Sequence, residues 1–244
     1  MSIITAKGKQ AKESANKPTQ TIDFKKVFIK LKGGDSIRVR LLSDEDYIEY
    51  LAHGSYAKGI HTQPCIEVAG DKCAICEASK YEGGEKDANG NPEFKHLGRK
   101  KRYLLAFADL DENMIRFFDA TKKQAQGIIG TIDEYAENIG DIAFTLKRTG
   151  SGKDDTSYSL NPILKLKPED HKKFEAFNGK EADAELFETV LQARSREDQL
   201  KELQKGGFPV KEVFGVDINT EIKEEGDNAE GEKPIDINPD DLPF

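Results

Sequence analysis

The sequence has no tryptophan, two methionines and three cysteines. Its apolar share is 36%, below the ~45–50% usual for a globular chain. The longest uninterrupted apolar run is Leu104–Ala108, extended by Tyr103. A membrane-spanning helix needs about 20 such residues, so a transmembrane helix is excluded. The first residues carry charges but no apolar segment, which argues against a secretory signal. Three cysteines cannot pair completely, and the reading that follows is a reducing compartment, the cytoplasm. No H-E-x-x-H pattern and no phosphate-cradling glycine loop occurs. A protein without a chemical step, not an enzyme, is therefore expected.

What the chain has in abundance is charge. Charged residues make up 34% of its 244 residues, against about 25% ordinarily. The net charge of −8 hides a strong asymmetry: residues 1–40 carry a net +7 and residues 211–244 a net −8. Opposed ends of this kind suit a nucleic-acid-binding protein with an acidic tail. Three regions follow: a flexible basic arm at 1–21, a folded core at 22–210, and an acidic, largely disordered interaction tail at 211–244.

Within the core the pattern is β-rich. Val27–Lys32 and Ser36–Leu42 alternate apolar and basic residues around the Gly33–Gly34 turn signal, and Tyr47–Leu51 is a shorter run. Tyr103–Asp109 and Asn113–Asp119 read as a hairpin across Leu110–Glu112. Ile142–Arg148 and Ser157–Leu166 read as another. Lys122–Ile139 has helical spacing, and a helical region runs from His171 to about Lys205 before Gly206–Gly207. The expected class is β-rich α+β with flanking helices.

Residues 53–98 lack a clear period and hold all three cysteines and three of the four histidines. His53, Cys65, Cys73 and Cys76 are spaced H-x11-C-x7-C-x2-C. The Cys73–Cys76 pair can grip one ion from a tight turn, and Cys65 with one histidine completes a Cys3His tetrahedron, a frequent structural zinc set. His61, four residues before Cys65, competes with His53 for the fourth place. A redox C-x-x-C would want a βαβ context, which the pattern does not offer.

Arg99, Lys100, Lys101 and Arg102 form a basic cluster running into Tyr103 and Phe107. Arg116 and Phe117 lie on the partner strand of that hairpin. Lys30, Arg38, Arg40, Tyr56 and Lys58 come from the first strands and the loop beyond them. Single-stranded nucleic acid calls for this mixture, since cations follow phosphates and aromatic faces stack unpaired bases. The plainer reading makes the aromatics core residues and the charges solvated strand faces. Four adjacent cations repel one another, however, unless a polyanion lies nearby. At the other end, Asp240, Asp241, Leu242, Pro243 and Phe244 form an acidic run closed by an apolar ring, a motif suited to a partner's basic-rimmed pocket.

Two resemblances rest on these residues. The ending Asp240–Phe244 resembles the acidic Pro-Phe tip of bacterial single-stranded-DNA-binding proteins, which recruits replication and repair enzymes. The body resembles the single-stranded-DNA-binding proteins of T-even and related phages. The likeness lies in His53-Gly54 running to Cys65, Cys73 and Cys76, then Arg99–Arg102 leading into Tyr103, and Met114–Phe118 with Lys122–Lys123 beyond. It implies an OB-fold-like barrel with an inserted Cys3His zinc subdomain at about 53–98, one structural Zn2+, and His53 as the histidine ligand. It further implies sequence-independent single-stranded-DNA binding in phage replication, recombination and repair, with Tyr103 as a channel aromatic. Self-association on DNA and recruitment of replication and recombination proteins by the tail follow from the same likeness, with no membrane partner.

Overall fold

A computed structural model describes Lys9 and residues 24–86, 89–150, 152 and 155–218. The basic arm, apart from Lys9, and the tail from 219 onward, with the proposed recognition residues Asp240, Asp241, Leu242, Pro243 and Phe244, lie outside the described residues.

Seven strands form one open antiparallel sheet: β1 Ser36–Arg40, β2 Tyr47–Ser55, β3 Ile60–Pro64, β4 Lys100–Asp109, β5 Met114–Thr121, β6 Ala143–Thr149 and β7 Ser157–Ile163. The order is β3-β2-β4-β1-β6-β7, with β5 also on β4. β5 takes one edge of β4 along most of its length, from Arg102↔Thr121 to Asp109↔Met114. The opposite edge is shared end to end by β2, from Tyr47↔Leu105 to Ala52↔Lys100, and β1, at Val39↔Asp109 and Arg40↔Ala108. Residues 36–55 thus behave as one long strand with a break before Tyr47. Asp46 bridges that break: its carbonyl accepts from Ala106 N at 2.9 Å.

The described helices are α1 Phe24–Val27, α2 Ala74–Ala78, α3 Lys122–Glu134, α4 Pro168–Glu175, α5 Ala184–Leu191, α6 Arg196–Lys205 and α7 Val210–Phe214. α3 starts at a capping box: Gln124 N donates to Thr121, and Thr121 N donates to the Gln124 side chain. Its Ala125, Ile128 and Ile132 enter the main core with Val39, Leu105, Phe107, Phe118, Phe144, Leu146 and Leu160. The sheet therefore curls around α3, and Phe118 on β5 meets Tyr158 on β7 with ring centroids 4.6 Å apart.

The opposite face of the sheet is also covered. Leu104, Ala106 and Phe117 pack with Phe187 and Val190 of α5, while Ala108 and Ala143 pack with Phe174 and Phe177 at α4. β4 is buried on both faces, which is why its sequence Leu104–Ala108 is an unbroken apolar run rather than an alternating one.

Two expectations are corrected here. Val27–Lys32 keeps its alternation, with Val27, Ile29 and Leu31 buried, but it is not a strand. α1 is followed by a single bridge, Phe28↔Phe117. The backbone bond from Ile29 N to Phe117 O at 2.8 Å ties the segment to β5, Asp35 takes the Lys32 N–H, and Gly34 turns the chain at φ 91°. The helical region at 171–205 is three helices, because Gly179 (φ 68°) and Gln192 (φ 24°) take left-handed backbone between them. Asp183 and Ser195 then cap the new starts, accepting from Leu186 N and Asp198 N.

Candidate metal centre and nucleic-acid surface

His53 is near the end of β2, Cys65 just beyond β3, and Cys73 and Cys76 on the entry to α2. All four are buried, with exposures of 1–4%. Their ligand atoms lie within 4.8 Å of one another. Cys65 Sγ and Cys76 Sγ are 3.5 Å apart, and His53 Nε2 is 3.5 Å from Cys73 Sγ and 3.4 Å from Cys76 Sγ. A four-coordinate ion with bonds of about 2.0–2.3 Å needs donor atoms roughly 3.4–3.8 Å apart, so the set fits one metal ion. His53 Nδ1 meets the Leu97 carbonyl at 2.7 Å. That contact requires the proton on Nδ1 and leaves the Nε2 lone pair facing the sulfurs. The choice between His53 and His61 is settled by strand geometry: His53 faces the sulfurs, while His61 on β3 is outside the cluster.

The electrostatics agree with an ion. Burial lowers the His53 pKa and holds the imidazole neutral. Burial also pushes the Cys73 and Cys76 thiols up, and for Cys76 the sulfurs of Cys65 and Cys73 add to the effect. A bound cation reverses that balance, because a coordinating thiol is deprotonated outright. Arg99 lies beside the sulfurs, its charge favoured by Cys76 and Glu67, and its Nη1 pairs with Glu67 Oε2 at 2.9 Å. Three thiolates around a dication would leave one negative charge, and Arg99 lies beside it.

The basic and aromatic candidates divide sharply. Phe107 and Phe117 are 0% exposed, so they are core residues and have no face free to stack a base. Arg40 is likewise buried: its Nη1 donates to Phe174 O at 2.5 Å and Asn178 Oδ1 at 2.7 Å, and its guanidinium lies 4.2 Å from the Phe174 ring centroid. These three assignments are corrected for one reason: strand alternation marks two faces, and here helices cover both.

Arg38 pairs with Asp111 and Asp170. Arg116 anchors the N-terminal segment, donating to Lys26 O, Phe28 O and Asp109. Arg102 pairs with Asp119, which also accepts from the Tyr50 hydroxyl at 2.9 Å. Lys58 pairs with Glu93 and lies over the Phe94 ring. Lys101 Nζ and the Tyr103 hydroxyl both reach Glu49. Lys30 and Lys100 are exposed, and Tyr56 is 43% exposed.

Two structural side chains gave little sign of their roles in the sequence. Asp109, 0% exposed, accepts from Asp111 N, Glu112 N and Arg116, closing the β4–β5 hairpin. Gln199, also 0% exposed, accepts from Ala74 N at 2.9 Å. An aspartate ahead of a tight turn hinted at the first; nothing local pointed to the second.

Among the described residues no helix is long and apolar enough to cross a membrane. Comparison with protein-family models, curated proteins and solved structures finds no match to this chain.

Proposed function

We propose that this chain is a sequence-independent single-stranded-DNA-binding protein of the phage type, organised by one structural zinc ion. The observation that carries the reading is the strand order. With β1 and β2 counted as one long strand, the pairings run first-to-second (β4), second-to-third (β5), first-to-fourth (β6) and fourth-to-fifth (β7). α3 stands between the third and fourth strands. That order supports an OB-fold-like plan, open between β5 and β7; in OB-folds the second and third strands and the first loop are the usual nucleic-acid platform. The metal cluster occupies the first loop, and the basic cluster begins where that loop returns to the sheet, at Ala52↔Lys100.

Three sulfurs and one imidazole suit zinc's borderline softness, and four protein ligands leave no open position for catalysis. Zinc supplies cross-linking of the first loop; it takes part in no reaction. His53, Cys65, Cys73 and Cys76 hold it. On this reading Tyr56, Lys58, Arg99, Lys100, Lys101 and Tyr103, from that loop and the start of β4, contact the strand, and the acidic tail recruits replication and recombination proteins. Labelled oligo-dT and a matched duplex, compared by fluorescence anisotropy over a salt series, test the reading. The expected result is strong, salt-sensitive binding to oligo-dT alone.

One observation favours a second reading, a zinc-stabilised protein-interaction adaptor. Lys58, Arg99, Lys101 and Arg102 each already hold a carboxylate partner. Equal, weak binding to both probes selects that reading.

A further inference from the structure

The cluster of four ligands is not built by residues 53–98 alone. Its buried core continues into the C-terminal helices through Leu200 and Leu203 of α6, Phe208 and Val210. α6 also sends three polar side chains at three-residue intervals to the backbone and side chains around the ligands. Arg196 donates to Lys72 O at 3.2 Å and grips Glu77 through both Nη atoms, at 3.1 and 2.8 Å, so it touches the residues just outside Cys73 and Cys76. Gln199 accepts from Ala74 N, between those two cysteines. Glu202, itself held by Arg194 at 2.7 Å, accepts from Gln63 Nε2 at 2.5 Å. Gln63 is the cross-strand partner of His53 and lies two residues before Cys65. Two helical turns thus support all the ligand-bearing segments.

From this geometry we infer that Arg196, Gln199 and Glu202 are positioning residues for the metal, and that metal binding and docking of α6–α7 are coupled. This rests on the metal reading above. Ligands held by a rigid outer layer bind more tightly than the same ligands on a loose loop. Linkage makes the effect reciprocal: a metal that binds better with α6 docked must also hold α6 down. α7 forms the head of the acidic segment 211–244, so the coupling would also fix where that segment is attached.

The test uses the full chain loaded with cobalt(II) or zinc. Gln199→Met removes the acceptor at nearly constant volume. Gln199→Glu restores an acceptor for Ala74 N–H, and Arg196→Gln alters a partly exposed side chain that the fold tolerates. Gln199→Met and Arg196→Gln are expected to release metal to a chromogenic chelator about tenfold faster, with weakened cobalt ligand-field bands, and Gln199→Glu to recover much of the loss. In the reciprocal arm, chelation of the wild-type protein exposes Lys201 and Lys205 to trypsin. Wild-type release rates and spectra in both weakened variants, or an unchanged tryptic pattern after chelation, overturn the coupling. A wild-type chain that takes up no metal overturns the metal reading itself, and the coupling with it.

Discussion

On the proposed single-strand reading, Glu49 competes with a phosphate for Lys101. Its carboxylate accepts from Lys101 Nζ and from the Tyr103 hydroxyl at 2.8 Å, and these hydrogen bonds hold its pKa below the usual range. Glu49→Gln should tighten oligo-dT binding several-fold. It should also steepen the fall of log K with log salt by about 0.7, the value for one more phosphate neutralised on a single strand. Anisotropy titrations at several salt concentrations read both, and an unchanged slope would remove Lys101 from the binding surface. Asp46 is the opposite kind of carboxylate. Its Oδ1 accepts from Ala182 N at 3.2 Å, but among the described residues it is buried without a cation, and desolvation raises its pKa. A carboxyl whose pKa is higher in the fold than in the unfolded chain weakens the fold once it is ionised. Asp46→Asn keeps the acceptor and should raise the melting temperature at pH 7. The gain should vanish as pH falls below the ordinary aspartate range, where both states are protonated.

At the scale of elements, β2 and β3 lie close together at Gly54. A Cβ there would stand 2.9 Å from Thr62 Oγ1 and 3.0 Å from Thr62 Cα, beside the register shift that follows His53. Gly54→Ala must spread the two strands that carry His53 and lead to Cys65. Weaker metal retention, measured by chelator competition, is expected even where circular dichroism still reports the sheet. The start of α3 is a different case, since its capping box is local and touches no ligand. Thr121→Ala should cost about 1 kcal/mol in urea unfolding and leave the metal release rate unchanged.

Over the whole molecule the buried residues fall into connected clusters, and the two largest divide the labour. One is the curled sheet around α3; the other is the metal module with α6 and α7. The second has few large apolar side chains of its own between residues 60 and 97, so the ion is expected to supply part of its folding energy. Chelation should lower the melting temperature by about 2–4 °C for each kcal/mol lost. A melting curve and protease resistance unchanged by metal removal would show that the hydrophobic contacts suffice.

The sequence by itself determined the β-rich class, both central hairpins, the core helix after Lys122 and the grouping of the three cysteines. Each is written in local spacing: period two for strands, apolar helical spacing for α3, and C-x2-C for the cysteine pair. It left His53 and His61 open, because that choice depends on which strand face meets α2. It misassigned Arg40, Phe107 and Phe117, because alternation tells one face of a strand from the other but not which face a distant helix will cover. The placement of α4 and α5 on the outer sheet, and of α6 on the metal module, was decided only by the tertiary structure. Contacts such as Arg40 with Phe174, Asp46 with Ala182 and Gln199 with Ala74 join residues more than a hundred positions apart, and no local pattern encodes them.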